Sequence, residues 1–348
     1  MDTINRIHHL PISSWNSFAS CRHSHYNFTF CIAFAFILSS IFVLNLYILV
    51  PKSVQRLSRE DTTQIKWRLF SVLITTTFSV VFYPLVFCFE GDTDVQTDYT
   101  QVESLSKILG FRWDWRKSLI PIFHVTILYY GQFVTTILQH RFRYVIRRND
   151  KDTQAMYVKD FINSIFLRNF HRYFGSNRWA TARDFVLAPI AEEVIFRGLI
   201  IPPFLFSTKF RSGNISLTTI CLTAPLVFGV AHLHHTLKKL KEPSCNKKVI
   251  ILSALFQLLY TTLFGAYASF CLVKTGSLPG VILVHSFCNF MGLPSVGFFF
   301  MRDTSFGEET RKMLKMYKLV GFLSFILGIT CFIFLFQKIF PQENSLLL

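Results

Sequence analysis

The chain has 348 residues, half of them apolar, with 40 Phe and a formal net charge of +16. Charged residues make up only 16%, well below the quarter or so usual for a soluble domain. The basic residues lie between long apolar runs, not in one patch with interleaved aromatics, which speaks against nucleic acid and for a lipid bilayer as partner.

Eight runs have roughly the 20 residues that span a bilayer: 27–50, 69–89, 118–138, 184–206, 215–235, 249–273, 277–300 and 319–340. None alternates with period two, so helices are favoured over a barrel. The fold class predicted is all-α, a polytopic membrane helical bundle of about eight transmembrane helices. Residues 1–26 form an N-terminal tail without the apolar stretch of a cleavable signal, so the first span is expected to act as an uncleaved anchor. Residues 27–340 read as a single membrane-embedded domain, and 341–348 as a C-terminal tail.

The segments after spans one, three, five and seven hold 25 of the 36 Lys and Arg. By the positive-inside rule these segments are cytoplasmic, and both termini lie on the opposite side. The longest of them, about 139–183, contains "FINSIFLRNFHRYFGSNRW", which suits either a basic amphipathic helix on the membrane surface or a packed connector. The eight cysteines show no CxxC pair, and most fall inside spans, where they read as small apolar fillers.

Polar groups inside the spans gather in the second half of the chain, in "EEVIFR" (Glu192–Arg197), "FGVAHLHH" (Phe228–His235), "QLLYTT" with Gln257 and Tyr260, and "HSFCN" (His285–Asn289). Glu193 and Arg197 are four apart and share a helix face, where they can neutralise each other. Glu192 points about 100° away, some 12 Å of rise into the span. An unpaired carboxylate there needs a partner from another helix or a wet cavity. His285 and Asn289 also share a face. Each pair has a bland reading as glue between helices. His232 lies near the cytoplasmic mouth of span five, while His234 and His235 read as ordinary interfacial residues.

Taken together the groups suit hydrolysis of an amide. A carboxylate and an imidazole sharing a water can deprotonate it and pass the proton to a leaving amine. A second imidazole and a side-chain amide can donate to the developing oxyanion. Glu and His are also zinc ligands, but there is no HExxH and the histidines are scattered. Buried Glu, His and Asn equally build proton relays, so a proton-coupled transporter is the alternative; no duplicated pattern of interrupted spans supports it.

"EEVIFRG", "FGVAH" and "HSFCN" resemble the EExxxR, FxxxH and HxxxN motifs of the type II CaaX prenyl proteases, the Ras-converting enzymes, in the family's order. The resemblance implies a polar catalytic cavity with its motifs within 184–300. It implies an endopeptidase of the endoplasmic reticulum membrane that removes the aaX tripeptide from farnesylated or geranylgeranylated CaaX proteins, Ras-type small GTPases among them. Carried over, Glu192 and His232 activate the water, His285 and Asn289 stabilise the oxyanion, and Glu193 and Arg197 support the site. No cofactor is implied, and metal dependence stays open. A non-proteolytic member of the same superfamily is the closer alternative. Cys288 sits roughly 80° off the His285–Asn289 direction, which disfavours it as a nucleophile. His285 lies about eight residues in from the non-cytoplasmic side, so either the site lies near mid-membrane or span seven is short, broken or re-entrant; "SLPG" (Ser277–Gly280) would allow a break.

Overall fold

The computed structural model describes residues 20–22, 26–87, 102–111, 114–147, 177–231, 246–293, 297–301, 307–340 and 346. His232 and most of the 139–183 connector fall outside them. Among the described residues the architecture is helical, apart from two three-residue strands. These pair antiparallel, β1 (Ser20–Arg22) with β2 (Val102–Ser104), and tie part of the N-terminal tail to the segment before the third span.

The main helices are α1 (Phe28–Ile48), α2 (Thr62–Phe87), α3 (Trp115–Leu128), α4 (Tyr130–Arg147), α5 (the composite run 178–205), α6 (Leu217–Ala231), α7 (Lys247–Thr275), α8 (Leu278–Met291) and α9 (Glu308–Ile339). Their starts follow local chemistry. Asn27, Asp61, Asp114, Asn246 and Ser277 each accept a backbone N–H from the first turn of α1, α2, α3, α7 and α8. Each such cap contributes on the order of 1 kcal/mol. Several hydroxyls inside the spans bond back to their own helices, as Ser39 does to the Ala35 carbonyl and Ser79 to the Thr75 carbonyl.

All eight apolar segments contain helix, but not all have a helix of the length of a crossing. Helices α1, α2, α7 and α9 are long and apolar enough to cross a membrane. The third segment is a fifth candidate only if α3 and α4, bent by 51° at Tyr129, are one span. These helices indicate a multi-pass membrane protein. Three starts lie six or more residues before the hydropathy bounds, α2 at Thr62, α5 at Arg178 and α9 at Glu308, because polar first turns extend a helix beyond its apolar stretch. The seventh segment stops early. Helix α8 ends at Met291, capped by Gly292 at φ 63°, a left-handed value that glycine adopts without strain. Helix α8 is therefore shorter than the apolar run 277–300.

Helix α6 packs along α7, α9 along α4 and α3, α8 against α3, and α1 against α2. Helix α5 runs through the middle and touches α1, α2, α6, α7 and α8. The principal apolar core is built around it, with Ile195, Leu199, Ile201 and Leu205 buried together with Leu272, Leu278 and Val281. Ser277 and Ser118 hydroxyls meet at 2.7 Å where α8 starts beside α3. Gly280 allows that approach, because a Cβ there would lie 2.9 Å from the Ser118 backbone.

Candidate active site

The polar centre begins with what prolines do to α5. Pro189, Pro202 and Pro203 have no N–H to give the preceding turn. The run is interrupted by two π-turns, Arg183–Leu187 before Pro189 and Val194–Leu199 before Pro202. π-Bulges of this kind are frequent at functional sites. Between them, Ala188–Glu193 is α-helical and carries both glutamates.

Glu193 and Arg197 are fully buried, at 0% and 1% side-chain exposure, and paired at 3.1 Å through Oε1 and Nη1. The expected i,i+4 pair is present. A third partner comes from α8: His285 Nδ1 lies 2.6 Å from the same Glu193 Oε1. A carboxylate can only accept, so the ring nitrogen carries the hydrogen. The other nitrogen, Nε2, faces Glu192 Oε2 at 3.9 Å. That is too long for a hydrogen bond. Glu192 is 22% exposed, unlike its neighbour, and its partner from another helix is this imidazole edge.

Aromatic rings complete the setting. The Arg197 guanidinium rests over Phe228 at 4.3 Å and Phe264 at 5.6 Å. A desolvated cation gains about 2 kcal/mol from such rings. Phe264 also meets the His285 ring edge-on at 4.9 Å. Gly265 clears space for the arginine, since a Cβ there would sit 2.9 Å from Nη2 and 2.6 Å from Pro225 Cβ. Phe228 opens the "FGVAH" stretch, so this residue anchors the arginine of the first motif from α6.

Asn289, one turn after His285, donates through Nδ2 to the Asp184 carbonyl at 2.9 Å. Residues Glu192, Glu193, Arg197 and His285 are thus brought together, and Asn289 is tied to the start of the same composite helix. His232 lies outside the described residues, as do His234 and His235. Cys288 is a free, half-buried cysteine. Among the described residues no group of three or more His, Cys, Asp or Glu is disposed to hold a metal ion. Phe264, Gly265 and the Asp184 carbonyl were not signalled in the sequence: two are apolar and one is a backbone atom.

A family model described as "Type II CAAX prenyl endopeptidase Rce1-like" matches residues 174–291, the stretch that holds every group just described. Residues 174–291 are thus a domain of that family. It is 32% identical over 243 residues to "CAAX prenyl protease 2" of Homo sapiens, covering 69% of this chain and 65% of that protein. It is 29% identical over 272 residues to the protein of that name from Arabidopsis thaliana, covering 76% and 78%. Against the one from Saccharomyces cerevisiae it is 36% identical over 132 residues, covering 38% and 41%. The chain spans just under two thirds of the human relative's length. No solved structure matches it. For this Rce1-like chain, the matched 174–291 includes all three motif stretches, His232 among them.

Proposed function

We propose that this chain is an intramembrane endopeptidase that hydrolyses the peptide bond after a prenylated cysteine and releases the C-terminal aaX tripeptide. Supporting the reading is one observation above the rest: His285 stands between two glutamates of another helix, 2.6 Å from Glu193 and 3.9 Å from Glu192. The arrangement leaves one ring edge and one carboxylate facing a common space, and the relatives' name as CAAX prenyl proteases supplies the substrate class.

The steps follow from these groups. Glu192 and His232 take a proton from a water, whose oxygen attacks the carbonyl carbon. Negative charge moves to the carbonyl oxygen. With Nδ1–H committed to Glu193, His285 donates to that oxygen from Nε2 in its imidazolium form, with a hydrogen on each ring nitrogen before the water is split, and the Asn289 amide donates beside it. The C–N bond then breaks, and the proton taken from water passes to the leaving amine. Arg197 balances the Glu193 charge, so the brace on His285 survives burial. The prenyl chain stays among apolar helices while the peptide reaches the polar groups. The endoplasmic reticulum membrane as the location and Ras-type GTPases among the substrates are part of the same proposal.

The test uses detergent-solubilised protein with farnesylated, geranylgeranylated and unprenylated CaaX peptides, with and without a chelator. Release of tripeptide from prenylated peptides by the wild type, and none by Glu192→Ala, is expected. Equal cleavage of prenylated and unprenylated peptides would overturn the substrate assignment.

A further inference from the structure

The start of α5 contains a backbone acceptor that its own helix cannot serve. In an α-turn the Ala188 N–H would donate to the Asp184 carbonyl. In the π-turn it donates to Arg183 instead. The next residue back-bonding to Asp184 with π spacing would be position 189, and that is Pro189, which has no N–H. Both local donors are removed at once. A carbonyl left bare within a membrane protein is costly. The donor that reaches it is Asn289 Nδ2, at 2.9 Å from across the α5–α8 contact.

This bond has a consequence for direction. A side-chain amide has two N–H groups on one nitrogen and an acceptor on the other side. Once one N–H is committed to Asp184, the amide can no longer flip, and the remaining N–H points along a set line. His285, one turn earlier on α8, is set in the same way by Glu193. The two donors of α8 are therefore indexed against one composite helix, by a carboxylate at one level and a bare carbonyl at another.

We propose that the Asp184 carbonyl, freed by the π-turn and Pro189, is what orients the Asn289 amide toward the reacting oxygen, which makes Pro189 a positioning residue. This rests on the function proposed above. Neither Pro189 nor Asp184 needs to touch substrate. Replacing Pro189 by alanine supplies a backbone N–H that serves Asp184 directly or lets the turn revert to α-helix, and Asn289 then loses its anchor.

The experiment is a double-mutant cycle of Pro189→Ala and Asn289→Ala in the full-length protein, read by thermal unfolding in detergent and by kcat and KM on a farnesylated peptide. The stability arm needs no substrate. Asn289→Ala is expected to lower Tm by about 2–4 °C with Pro189 present and by clearly less in the Pro189→Ala background, where a backbone N–H is available, a coupling between sites that share one acceptor. In the kinetic arm Pro189→Ala is expected to lower kcat on the order of tenfold with KM unchanged and no loss of Tm. It is expected to add nothing once Asn289 is replaced by alanine. Additive Tm effects would overturn the shared acceptor. A wild-type kcat in Pro189→Ala would overturn the orienting role. A wild type inert on prenylated peptide with the Tm coupling intact would support the anchor and overturn the function.

Discussion

His285 and Glu193, 92 residues apart in sequence, meet at 2.6 Å, and the same carboxylate oxygen holds Arg197 at 3.1 Å. One atom therefore serves the cation that makes its burial tolerable and the imidazole that it aims. Removing the carboxylate has two consequences that separate experiments can read.

The first is stability. Glu193→Gln leaves the Arg197 guanidinium buried without a counter-charge, which costs about 3–5 kcal/mol in comparable buried pairs. The double variant Glu193→Gln/Arg197→Met is expected to recover much of that loss, because both charges are then gone. Thermal unfolding in detergent of the wild type, the single variant and the double variant checks it. A double variant less stable than the single one would count against the pair as described.

Glu192 should behave differently. Its side chain is 22% exposed and makes no hydrogen bond among the described residues, so Glu192→Gln is expected to keep the wild-type Tm. Tripeptide release should nevertheless fall by about 100-fold or more, the scale of losing a general base. Comparing Tm and turnover on one preparation separates the adjacent glutamates.

Gly265 gives a steric test. Gly265→Ala puts a methyl 2.9 Å from Arg197 Nη2 and 2.6 Å from Pro225. Overpacking of this kind costs about 1–3 kcal/mol. Because the displaced atom belongs to the arginine that braces Glu193, turnover should fall as well. Ala268→Gly, one turn along the same helix at a buried apolar position, controls for a general effect on α7.

Phe228→Leu keeps an apolar side chain but removes the ring under Arg197, 4.3 Å from the guanidinium. The expected loss is up to about 2 kcal/mol. Cys288→Ala is expected to leave turnover within about twofold of wild type, a negligible free-energy change. A Cys288→Ala protein without activity would reopen the thiol as nucleophile.

Much of this site could be read from the linear chain because it rests on helical spacing. Glu193 and Arg197 are an i,i+4 pair, and their ion pair is present. Glu192, left over on its own helix, needed a partner from elsewhere and faces His285. The apolar runs located the helices. What could not be read depends on contacts between distant segments or on backbone atoms. Nothing in "HSFCN" says that Asn289 meets a carbonyl at Asp184, because that carbonyl becomes an acceptor only after a π-turn and a proline remove its own donors. The bend at Tyr129 divides an apolar run that hydropathy reads as one. The pairing of Ser20–Arg22 with Val102–Ser104 joins two short polar stretches with no period of their own.

Helix α8 has 14 residues, from Leu278 to Met291, and so rises about 21 Å. The hydrocarbon slab of a bilayer is about 30 Å thick. Lipids beside a rod that short must pinch inward or leave its ends to neighbouring protein. Measured along its axis, that rod sets His285 within about 11 Å of either tip.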